Sequence, residues 1–167
     1  MGIYAHILKS WEKHNPEKVF TDAALIAFRI NVMFEYGNVT SFYSDGRFKH
    51  TSVGVADDKV TVSEGNPQQF IFNIQEVNMD DIAVGLDKDL DYLVPGAKLC
   101  SLAYIEKVRD HNTELIFRFA YEYLKLNPDE YFWFEWDHAF TWEDLQRLKA
   151  LPFDKDWCFK NPRNYNY

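Results

Sequence analysis

The chain opens with Tyr4, Ile7, Leu8 and Trp11 at helical spacing and with Lys9, Glu12 and Lys13 between them. That pattern predicts a helix over 3–13 whose charges take the wet face, stopped by Asn15-Pro16. The period then changes. Over 24–36, Ile26, Phe28, Ile30, Val32, Phe34 and Tyr36 alternate with Ala27, Arg29, Asn31, Met33 and Glu35. Strict alternation predicts a strand with one buried face, although Ala23 and Ala24 favour a helix where it begins.

Shorter alternating runs follow. Ser41–Tyr43 and Arg47–His50 flank Ser44-Asp45-Gly46, which predicts a hairpin. Lys59–Ser63 and Gln69–Val77 are two more strand candidates, separated by Gly65-Asn66-Pro67. Residues 79–98 are acidic and irregular, and 99–109 are apolar without a settled period. Over 113–126, Ile116, Phe119, Ala120, Tyr123 and Leu124 mark a helix with Asn112 as its cap and Arg118 and Glu122 on its outer face. Tyr131–Trp136 predicts a short aromatic strand. Thr141 with Asp144 three residues on predicts the capped start of a last helix, with Trp142, Leu145 and Leu148 facing inward and Pro152 ending it.

These elements predict one α+β domain over residues 1–167, a mainly antiparallel sheet packed against three or four helices. A length of 167 residues fits one domain with a core that needs no staples. Cys100 and Cys158 lie outside any C-x-x-C pair, so both read as free thiols in a reducing compartment. The Asn38-Val39-Thr40 sequon carries little weight in such a setting. Charges interrupt the first apolar stretch, and His6 stands where a myristoylation motif wants Ser or Thr, so a cytoplasmic chain is expected. The longest apolar stretch, Ala23–Phe28, is too short to span a bilayer, and no membrane role is expected.

Charge narrows the function. Twenty-six acidic against 18 basic residues give a formal charge of −8, which repels nucleic acid and favours encounter with basic proteins. It also serves plain solubility. Aromatic residues make up 17% of the chain, and they concentrate over 129–144 together with acids and without Lys or Arg. On a strand there, Phe132, Phe134 and Trp136 share one face and pack inward. Tyr131, Trp133 and Glu135 share the other. Tyr131, Trp133, Glu135 and Asp137 are therefore the candidate partner-binding residues, with Asp129 and Glu130 as steering charge. The competing reading is a central strand with both faces covered and acids stabilised at a helix N-terminus.

Other chemistry has thinner support. Asp87-Lys88-Asp89-Leu90-Asp91 mimics a calcium loop, but Tyr92 stands at the turn glycine and Lys98 at the closing Glu. No two of His6, His14, His50, His111 and His138 have metal-ligand spacing, so neither a metal nor a cofactor is expected. Asp137-His138 can orient an imidazole as a general base, Cys100 with a distant histidine is a weaker nucleophile candidate, and a carboxylate pair is a spatial matter. No G-x-S-x-G or phosphate loop occurs.

Three functions are thus expected in order. The first is a non-enzymatic acidic binding protein, concretely an inhibitor of the bacterial immunity or antitoxin type that blocks a basic toxin or effector domain. The second is a hydrolase or transferase using Asp137, His138 or a carboxylate pair, with a deep pocket lined by titratable groups. The third is a structural or assembly subunit, with two copies pairing through a sheet edge or the aromatic surface.

Overall fold

The first helix begins where the sequence pattern ends one. In the computed structural model, which describes residues 3–57, 68–77 and 90–165, Asn15-Pro16 opens helix α1 (Pro16–Arg29). The Asn15 side chain accepts from Lys18 N, and Pro16 occupies the first turn, where its missing N–H costs nothing. The residues before it form strand β1 (Ile3–Ser10) and a single 3₁₀ turn, not a helix. Ala5 and Ile7 of β1 face the core and are buried, while Tyr4 and His6 point the other way. The apparent helical spacing arises because Leu8 and Lys9 are buried as well.

The alternation over 24–36 likewise dissolves. Val19, Ala23, Ile26 and Ala27 form the buried stripe of α1, at helical spacing, and Phe28 is 84% exposed. Asn31 takes a left-handed turn (φ 59°), and only Met33–Glu35 is extended, as β2. The hairpin is present. β3 (Ser41–Phe42) and β4 (Phe48–Asp57) are joined through Gly46 at φ 85°, with Tyr43 N donating to Arg47 O at 2.8 Å. β5 is Gln68–Gln75, and the unsettled segment is β6 (Leu99–Val108). The strand expected over Lys59–Ser63 and most of the irregular acidic stretch lie outside the described residues.

Helix α2 (Thr113–Leu126) carries the expected stripe, but Asn112 does not cap it with its side chain. Asn112 Oδ1 accepts Arg109 N instead, and its amide nitrogen donates to Gln69 O and Lys107 O, tying the helix entry to β5. Arg118 is also not a plain outer residue. Its guanidinium donates to Asp57 Oδ2 at 2.6 Å and to Ile30 O at 2.5 Å, joining α2 to β4 and to the end of α1. β7 (Tyr131–Trp133) and β8 (Ala139–Phe140) follow, then α3 (Trp142–Lys149), where Thr141 and Asp144 complete a reciprocal capping box.

The described residues hold three α-helices and one eight-stranded sheet in the order β2-β4-β5-β6-β1-β7-β8, with β3 beside β4 and every pairing antiparallel. This is the expected α+β architecture with three helices. Inward residues of the sheet meet α1, α2 and α3 in one contiguous core. The C-terminal segment closes it. Trp157 is fully buried, donates Nε1–H to Thr113 O at 3.0 Å, and meets Phe117, Phe134 and Phe140 edge-on. No described helix packs on the sheet's other face, and no helix among the described residues is long and apolar enough to cross a membrane.

Candidate functional site

The sheet face turned away from the three helices carries an aromatic cluster at the junction of β6, β1 and β7. In the sheet register His6 lies between Tyr104 on one side and Trp133 on the other, and Tyr4 is two residues along on the same face. The rings meet: His6 to Trp133 at 5.2 Å, His6 to Tyr104 at 6.0 Å, Tyr4 to His6 at 6.2 Å, and Tyr4 edge-on to Tyr104 at 5.9 Å. Tyr4 remains 43% exposed.

Glu135 completes the cluster through an uncommon backbone. Its φ of 62° lies in the left-handed region, which costs a non-glycine residue about 1 kcal/mol or more. That turn folds its carboxylate back over β1. Oε2 accepts Tyr4 N at 3.4 Å, and Oε1 lies 3.4 Å from His6 Nε2. On its other side His6 Nδ1 is 2.7 Å from Ser101 Oγ. One proton arrangement satisfies both contacts in the neutral ring: Nε2–H directed at Glu135, and Nδ1 accepting the Ser101 hydroxyl proton. Burial lowers the His6 pKa, and the Glu135 hydrogen bond and charge offset this only in part. Burial thus disfavours the charged imidazole, and among the described residues no Lys or Arg pairs with Glu135.

The expected site divides along these lines. Trp133 and Glu135 belong to the cluster, and Tyr131 sits half-buried on the same strand. Asp137 is exposed next to it, its Oδ1 3.1 Å from His138 Nδ1. Asp129 is at the surface but pairs with Lys13 at 3.2 Å. Glu130 is no steering charge, because it is only 4% exposed. Its Oε1 lies 2.7 Å from Lys9 Nζ, and its Oε2 accepts the Tyr123 hydroxyl at 2.9 Å. Phe132 and Phe134 are buried as expected, but the left-handed turn at Glu135 ends the alternation and swings Trp136 outward. Trp136 O accepts from Trp133 Nε1 at 2.6 Å and from the Tyr92 hydroxyl at 3.3 Å. His138 is buried, and its Nε2 has no hydrogen-bond partner among the described residues.

The sequence pattern does not point to Tyr4, His6, Ser101 or Tyr104 as site residues. Their meeting depends on β1 lying between β6 and β7, across sequence separations of 95 and more. The alternation of Tyr4 and His6 with Ala5 and Ile7 was the one local sign of it. Farther along the same face, a groove of about 400 Å³ runs between Glu35, Gly54, Ile71, Glu106 and Arg109. Comparison with protein-family models, with curated proteins and with solved structures returned no significant match.

Proposed function

We propose that this chain is a non-enzymatic, cytoplasmic binding protein that receives a basic protein partner at the exposed Tyr4–Glu135–Asp137 edge of the sheet, in the manner of an immunity or antitoxin-type inhibitor. The observation that carries this reading is the clustering of Tyr4, Tyr104 and Trp133 around the His6 ring, with the Glu135 carboxylate against that ring and Tyr4 N. Rigid rings supply contact area at low entropic cost, and a carboxylate without a cation draws a positive group to them. Asp137, 88% exposed at its side chain, and the chain's charge of −8 steer the same partner. Paired capture with wild-type protein and the Glu135→Lys/Asp137→Lys variant as baits tests the reading at low and moderate salt. A basic protein held in stoichiometric amount by the wild type, weakened by salt and lost from the variant supports it. Equal recovery on both baits removes this face as the interface.

One observation favours a second reading, a hydrolase. Ser101, His6 and Glu135 have the connectivity of nucleophile, base and acid, with the serine hydroxyl 2.7 Å from the imidazole. In such a reaction Ser101 Oγ attacks an acyl carbon while its proton passes to His6 Nδ1. The imidazole returns that proton to the leaving group, and water releases the acyl group by the reverse path. A fluorophosphonate probe that labels the wild type but not Ser101→Ala supports this, and an unlabelled wild type ends it.

A further inference from the structure

We propose that the cluster reads an arginine side chain presented by the partner, the guanidinium stacking on the exposed ring of Tyr4 while its fork engages Glu135. This rests on the binding reading above and narrows it to one residue type. Three features select a cation of that shape.

The first is an uncompensated anion. Among the described residues Glu135 meets only the His6 imidazole, whose charged form burial disfavours, and a backbone N–H, both at 3.4 Å. A carboxylate offers about four lone-pair positions, so both oxygens keep one free for a bidentate donor. The second is the set of rings, whose negative faces attract a cation within about 6 Å. The His6 ring is enclosed by Tyr4, Tyr104 and Trp133, so the cluster's centre is occupied and only its outer surface is offered. A flat group can lie on that surface. The third is the combination of the two. An ammonium is a strongly hydrated point charge, whereas a guanidinium is planar, less hydrated, and able to stack and fork at once. Charge complementarity extends outward through Asp137.

The test uses the whole chain and two blocked tripeptides of one positive charge each, Gly-Arg-Gly and Gly-Lys-Gly. NMR follows the Trp133 indole N–H, the His6 ring and the backbone amides of Tyr4 and Glu135 at 20 mM and 200 mM salt. The arginine peptide is expected to shift these signals saturably and roughly tenfold or more tightly than the lysine peptide. Glu135→Gln and Tyr4→Ala should each weaken it severalfold, whereas Glu143→Gln, on α3, should not. Both site residues are substantially exposed, so unchanged spectra elsewhere confirm that each variant is folded. Equal shifts with both peptides overturn the arginine inference while the broader basic-partner reading stands. Shifts with neither peptide, or shifts confined to other surfaces, overturn both.

Discussion

Lys9 Nζ lies 2.7 Å from Glu130 Oε1 with both side chains under a tenth exposed, so β1 and the segment leading into β7 are joined by a buried ion pair. The Tyr123 hydroxyl donates to the other carboxylate oxygen, and burial and Glu130 push the phenol pKa well above its usual range. Removing one partner strands the other charge. Lys9→Met is expected to cost about 3–5 kcal/mol in denaturant unfolding, and the volume-matched double variant Lys9→Met/Glu130→Leu to recover much of it. A single variant no less stable than wild type would mean the pair is solvated in solution.

The same pair marks the limit of what the pattern along the chain discloses. Lys9 reads as a wet-face charge and Glu130 as a surface acid, because nothing local says that two charges 121 positions apart share a site. Elements held by local chemistry were legible: the β3–β4 hairpin through Gly46, the α2 stripe, and the Thr141–Asp144 box. Elements whose burial is set by distant neighbours were not. β1 is a central strand, flanked on both sides, and its apolar positions do not alternate cleanly. Asn15-Pro16 serves equally as a stop and as an N-cap with a first-turn proline, and the structure uses it as the latter. Half of the aromatic cluster sits on β1, so Trp133 and Glu135 are legible in the sequence without their neighbours.

Two histidines make the fold sensitive to mild acid. His14 Nε2 donates to Gln75 O at 2.8 Å, and its buried Nδ1 has no partner among the described residues, where protonation would bury an N–H. Its pKa is lowered, first by burial, as is that of His6. A histidine with a depressed folded pKa contributes stability that is present above the unfolded value of 6.5 and lost as pH falls through the folded value. The melting temperature is therefore expected to be flat above about pH 7.5 and to decline below 6.5. His14→Gln, which can keep the bond to Gln75 O without titrating, should shallow that decline. An identical slope in the variant would assign the acid sensitivity elsewhere.

The two thiols should differ sharply. Burial pushes the Cys158 pKa up to about 12, and the side chain is fully covered, whereas Cys100 is half-buried on β6. At pH 8 the rise from the ordinary 9.0 cuts the thiolate fraction by roughly a thousandfold. Ellman's reagent is expected to find at most Cys100 in the native protein and both thiols after unfolding. Prompt reaction of two thiols in the native state would contradict the packing of the C-terminal segment.

Glu135 separates stability from recognition most directly. Its left-handed backbone is one that glycine adopts without steric cost, and its carboxylate makes only two long contacts among the described residues. Glu135→Gly is expected to leave stability unchanged or raise it by up to about 1 kcal/mol, because relief of the strained conformation offsets the loss of those weak bonds. Glu135→Gln keeps the strain and removes the charge, so the two variants isolate the two effects. If the carboxylate exists to meet a cation, both variants bind the arginine peptide severalfold more weakly while differing from each other in melting temperature. If instead Glu135 serves the fold, Glu135→Gly destabilises the protein by more than about 1 kcal/mol, since His6 then loses its acceptor in a half-buried site. Paired unfolding curves of the three proteins decide between these outcomes. The sign of the Glu135→Gly change states which role maintains a charged residue in a conformation it adopts at a cost.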